Sequence, residues 1–206
     1  MMDNFRVGPE ALPRKFYRVN YNGTWSEYVP STGFKAAGTN TTFQLATQVD
    51  RFWPSIKDQL KWNSGVRSPY ISLFNDRRHA ENWALRWEDN NKQPCDVWEI
   101  DGTMLRDVYV FHPSTLQRQQ PARALFRTEP SEYLCLDLIP ETAFISREST
   151  LDIKASKRHR EEMAEHRQQR PGTHWVPELY GYYDTDDECE TNNGNDDMIK
   201  MMEGDW

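Results

Sequence analysis

Three polar residues stand where strand-like segments end or are interrupted. Arg18 lies within Lys15-Phe16-Tyr17-Arg18-Val19, Ser72 within Ser68-Pro69-Tyr70-Ile71-Ser72-Leu73, and Glu132 heads the apolar run Tyr133, Leu134, Cys135, Leu136, Leu138, Ile139 that Pro140 closes. A carboxylate at the mouth of an apolar strand delivers one acid to a cleft. An arginine among buried aromatics needs an anionic partner or a cleft, because an unpaired charge is costly away from water. A hydroxyl where a strand turns into a helix is a common place for ligand contacts. Each residue also has a structural reading: an ion-paired arginine, a capping hydroxyl, a solvated strand start.

The elements that position these residues are legible from pattern. Residues 1–14 are polar and carry Gly8, Pro9 and Pro13, which predicts a flexible lead-in. Residues 20–42 read as a long irregular connection, although Trp25, Tyr28 and Phe34 imply that part of it folds over something. Leu45, Val49, Phe52, Trp53, Ile56 and Leu60 recur at helical spacing over 43–62, with Pro54 able to kink or bound the helix. The clearest helix runs over 76–89, with Asn75 or Asp76 as cap and Ala80, Trp83, Ala84 and Trp87 on one face. Strands are predicted at Cys95–Asp101, ended by Gly102, at Val108–Phe111 and, briefly, at Ala143–Ile145. The polar, proline-punctuated residues 114–131 read as a loop leading into Glu132, and long loops in compact domains are often functional.

Composition bounds the class. The chain has 206 residues, enough for one domain with a real core, and 28% of them are charged. Its net charge of −7 is concentrated beyond residue 150, which speaks of solubility and partners and does not favour nucleic acid. Residues 151–170 read as an exposed charged helix and 171–206 as a disordered acidic tail. Cys95, Cys135 and Cys189 have no metal-ligand spacing, so no metal is expected, and the odd count suits a reducing compartment. No signal-peptide pattern and no membrane-length apolar run is seen. The expectation is a monomeric intracellular protein, cytoplasmic or nuclear, with no membrane partner. His79 and His112 are read as surface residues, and the Trp83/Trp87 stripe as helix-to-sheet packing.

In four parts and in chain order the sequence resembles the ADP-ribosyltransferase superfamily, in the Arg-Ser-Glu branch that contains the cholera-toxin-like enzymes. Phe16-Tyr17-Arg18 is similar to the first-strand aromatic-Arg motif and Tyr70-Ile71-Ser72 to the start of the Ser-Thr-Ser strand. Asp76 to Trp87 resembles the helix that follows, and Glu132 with Leu136, Ile139 and Pro140 resembles the catalytic-Glu strand. The chain also looks like a fungal group of ADP-ribosyltransferase-like proteins of unassigned activity that share the Ser-Pro-Tyr-Ile-Ser and Ala-Glu-Asn-Trp-Ala segments. The resemblance covers about residues 13–147.

It implies an α+β fold over residues 15–150, with a split, mainly antiparallel sheet around an NAD-sized cleft. It implies further that NAD is a substrate whose nicotinamide-ribose bond is cleaved, with transfer to an unidentified acceptor, whether protein, nucleic acid, small molecule or water. Glu132 then stabilises the oxocarbenium-like centre, as carboxylates do in glycoside hydrolysis. Arg18 meets the diphosphate or ribose, Ser72 orients Glu132 or the ribose, and Tyr70, Phe74 or another aromatic near them stacks on nicotinamide. The loop before Glu132 becomes the target-recognition loop, through Phe126, Glu129 and Pro130.

Two departures accompany the match. Ser72 is followed by Leu73 and Phe74, so one hydroxyl of the Ser-Thr-Ser pattern remains. Pro130 stands where arginine-modifying members carry a second Glu, and Glu129 lies one position further back. These departures motivate an alternative, a catalytically inactive module of the same fold that binds or scaffolds. A related phosphotransferase acting on RNA ends is disfavoured by the negative charge and by the absence of a His-based signature.

Overall fold

The computed structural model describes residues 4–38, 49–61, 67–119, 128–169, 173–176 and 181–184. The chain divides into two compact units, Met1–Ile153 and Lys154–Trp206. The first is an α+β unit whose strand pairings are all antiparallel.

Its main sheet has six strands: β1 (Lys15–Tyr21), β4 (Tyr70–Phe74), β5 (Cys95–Asp101), β6 (Val110–Phe111), β7 (Glu132–Leu136) and β9 (Phe144–Ser149). They lie in the order β6-β7-β4-β1-β5-β9. A second sheet joins β2 (Glu27–Val29), β3 (Gly33–Lys35) and β8 (Leu138–Pro140) in that order. The helices are α1 (Val49–Gln59), α2 (Arg77–Asn91), α3 (Pro113–Gln119) and α4 (Thr150–Gln169).

Packing separates the two faces of the main sheet. Phe16, Ile71, Leu73, Tyr133 and Cys135 form one core with Phe34 and Ile139 of the second sheet. On the other face Phe52, Trp53 and Ile56 of α1 pack with Tyr70, Leu134, Leu136 and Phe111. Ala80 and Ala84 of α2 pack there against Tyr17, Val19 and Val97. The small residues let α2 approach the strands closely. Its first turn is tied down electrostatically, since Arg77 reaches Glu81 at 2.8 Å and Glu148 of β9 at 2.7 Å.

The helix α2 begins as its sequence dictates: the Asp76 side chain accepts from the backbone N–H of His79, a standard N-cap. Cys95–Asp101 is a strand over its full predicted length, and Gly102 ends it. Cys95 and Cys135 are free thiols and buried.

Several expectations are corrected. The lead-in is anchored: Phe5 stacks on Phe52, the Val7 N–H donates to the Val110 carbonyl, and Val7 and Leu12 pack on the core. Three apolar side chains outweigh the polar surroundings that suggested a loose segment. The connection 20–42 contains the hairpin β2–β3, turned at Ser31 (φ 63°) and Gly33 (φ 116°). Residues 114–131 are not all loop, because α3 forms after His112; residues 120–127, Phe126 among them, lie outside the described residues. Pro54 sits inside α1, and the predicted helical residues 43–48 and Trp62 lie outside the described ones. The strand expected at Ala143–Ile145, β9, is six residues rather than three. Of the tail predicted to be disordered, Thr173–Val176 and Gly181–Asp184 pair as a two-stranded antiparallel hairpin; the rest of 171–206 lies outside the described residues.

The run from Glu132 to Pro140 is not one strand. Asp137, at φ 61°, takes the left-handed conformation and breaks it, so β7 stays in the main sheet while β8 pairs with β3. Gly33 permits that second pairing. A Cβ there would collide with the Ile139 carbonyl, and its positive φ already disfavours a side chain. Gly33→Ala is therefore expected to cost about 2–3 kcal/mol, read as a lower urea midpoint with an unchanged m value. An unchanged midpoint would show that the two sheets are not locked at this point.

Candidate functional site

Register places the polar residues together. Tyr70, Ser72 and Phe74 alternate onto one face of β4, and β7 pairs with β4 so that Phe74 lies opposite Glu132 and Ser72 opposite Leu134. Ser72 and Glu132 are thus diagonal neighbours on one face. On the other side of β4, β1 makes a single register pair, Tyr17 with Phe74. The Arg18 guanidinium bridges the strands beside it, donating through Nη1 to the Ser72 carbonyl at 3.1 Å and through Nη2 to Ser26 Oγ at 2.6 Å. A pocket of about 120 Å³ opens at this junction, lined by Arg18, Ser72, Glu132, Tyr70 and Phe74, with Gln59 of α1 on one side and Trp83 of α2 on the other.

The electrostatics are those of an acid and a base each drawn partly out of water without forming an ion pair among the described residues. Glu132 is 7% exposed, and burial pushes its carboxyl above the usual carboxylate range. A hydrogen bond from the Ser72 hydroxyl and the field of Arg18 pull the other way, while nearby Glu129 adds to the rise. Burial lowers Arg18 to about 10, against the weaker fields of Tyr21 and Glu132, so the guanidinium remains charged at neutral pH. Arg18 has no carboxylate at ion-pair distance among the described residues, and its buried Nε has no hydrogen-bond partner. A half-buried cation satisfied by two neutral oxygens and left with a buried orphan N–H is suited to an anionic ligand.

The turn before β7 is stapled in place. The His112 ring stacks on Tyr133 with centroids 4.4 Å apart, and its Nε2 sits 2.9 Å from the Pro130 carbonyl, which fixes Nε2 as the protonated nitrogen. Nδ1 then accepts from the Thr115 hydroxyl at 2.7 Å. His112 is accordingly a half-buried brace for the turn rather than a free surface residue. Glu129 and Pro130 are exposed at that turn, and the Glu132 N–H donates to the Glu129 carbonyl at 3.0 Å.

Tyr70 and Phe74 line the pocket with almost fully buried rings, 3% and 4% exposed, and the Tyr70 hydroxyl pairs with Ser55 Oγ at 2.9 Å. The open ring at the pocket is Trp25, 54% exposed. It also borders a broader outer cleft of about 850 Å³, whose lining carries Lys35 and Arg67 together with Glu27 and Asp96. Trp25, Ser26 and Gln59 went unassigned in the sequence. The signal for the first two was the aromatic content of a loop otherwise rich in Asn, Gly, Ser and Thr; a half-buried Gln at a helix end carries no comparable signal. The tryptophans of α2 behave as packing residues, with Tyr21 stacked on Trp87 at 4.1 Å and near Trp83 at 5.7 Å.

No group of three metal-ligating side chains is clustered among the described residues, and none of their helices is long and apolar enough to cross a membrane. Residues 11–153 match the family model described as Domain of unknown function (DUF7587), which spans every described site residue. No curated protein matches the chain.

The raised carboxyl of Glu132 sets a stability test. Its ionised form is disfavoured in the folded state, so the penalty is absent below the ordinary carboxylate value and grows as pH rises through the raised one. Glu132→Gln is expected to melt above the wild type at neutral pH, with the gap closing as pH falls toward 4.5. A variant less stable at every pH would show that Glu132 serves the fold.

Proposed function

The chain belongs to the DUF7587 family, and from that premise and the geometry of the cleft we propose that it is an NAD-cleaving ADP-ribosyltransferase or NAD glycohydrolase. The observation that carries this reading is the meeting of three groups: a half-buried arginine with a buried, unpartnered Nε and no ion pair among the described residues, a serine hydroxyl and a buried glutamate, all lining one pocket.

The chemistry requires each of them. When the bond between the nicotinamide nitrogen and ribose C1′ breaks, its electron pair neutralises the pyridinium and leaves oxocarbenium character on the ribose. A fixed, poorly solvated carboxylate stabilises that cation more strongly than water does. Glu132 supplies it, and the Ser72 hydroxyl keeps it ionised and oriented. Arg18 offers its orphan Nε–H and its charge to the diphosphate. Water or an acceptor nucleophile then bonds to C1′ and passes its proton to Glu132 or to bulk water.

Size supports a division of the ligand. The inner pocket, at about 120 Å³, is below the roughly 300–1,000 Å³ usual for small-molecule sites. The outer cleft shares Tyr21, Thr24, Trp25 and Ser26 with it, so the two form one continuous surface. In this reading the reacting ribose enters the inner pocket while the rest of the dinucleotide lies along Trp25 toward Lys35 and Arg67. Tyr70 and Phe74 shape the pocket floor. Glu129 and Pro130, exposed beside Glu132, face an acceptor, whose class we take to be a protein or water. Proline has no side-chain acceptor with which to position an arginine, which argues against arginine as the target.

Nicotinamide release from NAD by the full chain is expected, with Glu132→Gln reducing kcat by about 10²–10³-fold. Arg18→Lys is expected chiefly to raise KM, since an ammonium cannot reproduce the planar fork. If wild type and Glu132→Gln release equally little, with cell extract present as a source of acceptors, the inactive binding-module reading replaces this one.

A further inference from the structure

Ser72 Oγ has a second neighbour besides Glu132. The side-chain amide of Gln59, the last residue of α1, donates to it from Nε2 at 3.0 Å. We propose that Gln59 is a positioning residue for the carboxylate: by donating to Ser72 Oγ it commits the single hydroxyl proton to Glu132.

The argument is one of donor counting. A hydroxyl has one proton and two lone pairs, and an ionised carboxylate only accepts. If Gln59 presented its carbonyl oxygen instead, the hydroxyl would have two acceptors competing for one proton. With the amide NH2 turned inward, every group in the line is satisfied: Gln59 donates to Ser72, and Ser72 to Glu132. Protonation of Glu132 reverses the line, because the acid donates to Ser72, whose proton then seeks the Gln59 carbonyl. The favoured orientation of the amide and the charge on Glu132 are thereby linked.

The helix is built to hold Gln59 at that distance. Phe52 and Ile56 of α1 are fully buried against β4, β6 and β7, and Ser55, one turn before Gln59, pairs with the Tyr70 hydroxyl two residues from Ser72. A glutamine has three rotatable bonds, and its order here comes from this docking. Other charged and titratable groups face the same carboxylate or its pocket. Arg18 from β1 and Glu129 from the turn act on Glu132, while Tyr21 from β1, Asp58 of α1 and Lys61 just beyond it line the pocket. The test must therefore isolate the path through Ser72.

A double-mutant cycle does so in the full chain, with the Glu132 carboxyl carbon followed by NMR as pH is varied. Gln59→Met keeps the length of the side chain and removes the donor, and is expected to shift the Glu132 midpoint upward by roughly half a pH unit, the worth of one weakened hydrogen bond. Gln59→Glu, which keeps the shape and adds an acceptor and a like charge, is expected to shift it further. In a Ser72→Ala background the shift from Gln59→Met is expected to vanish. An unchanged midpoint in both Gln59 variants, or a Gln59→Met shift of equal size with and without Ser72, would overturn the proposal.

The inference deepens the NAD-cleavage reading and rests on it only for a consequence in turnover, an acid limb of the pH–kcat profile that moves with the NMR midpoint. A titration shift in a chain that releases no nicotinamide would keep the relay and remove the reaction. Release that persists in Gln59→Met with an unmoved midpoint would do the reverse.

Discussion

The cleft depends on the way Arg18 is buried. Between β1 and β4 there is one register pair, and beside it the guanidinium rather than the backbone ladder connects the strands, reaching the Ser72 carbonyl and Ser26 Oγ. Taking that cation out of water without a counter-carboxylate is costly, and the surrounding structure has to offset the cost through packing. The same contact draws Ser26, just before β2, toward Ser72, and so ties the 22–26 loop with Trp25 to the edge of the pocket. An ion pair at this point would relieve the strain on the cation and also occupy the site. Its absence leaves the field of Arg18 available to a ligand and to Glu132.

Glu132 is held from the opposite side by a different device. Five register pairs lock β7 to β4. The turn before it is braced by His112 against Pro130 and Tyr133, and the chain after it departs into the second sheet at Asp137. A carboxylate at the start of a strand fixed at both ends cannot swing out to solvent, which is why its burial raises its proton affinity instead of being relaxed away. Rigid support of this kind keeps a reacting group in place without reorganisation at the moment of reaction. The two sheets therefore do more than share a core, because the crossing from β7 to β8 is part of what positions the acid.

Much of this was legible in the chain and some was not, for reasons that differ by element. The helix α2 could be read almost to its ends, since an Asp cap and small residues at helical spacing are local facts. The strands β5 and β4 follow from alternation and from the turn residues beside them. The hairpin β2–β3 was hidden because its strands are three residues each, too short for periodicity to show, and because its turn depends on positive φ at Ser31 and Gly33. The helix α3 was missed because polar residues after a proline resemble a loop, and its burial rests on Pro113 and Leu116 alone. The break at Asp137 carries no local signal, as an aspartate within an apolar run reads as one wet position in a continuous strand.

For the site, the sequence by itself determined the chemistry available: an arginine, a serine and a glutamate at strand positions. Their types and their placement on period-two strands are local properties. Tertiary structure alone decided that Arg18 has no ion-pair partner among the described residues, that Gln59 meets Ser72, and that Trp25 rather than Tyr70 or Phe74 presents the open ring. Those outcomes depend on which distant side chains share a few ångströms of space. That is fixed by strand order and helix docking across separations as long as the 54 residues between Arg18 and Ser72, over which no pattern in the chain carries information.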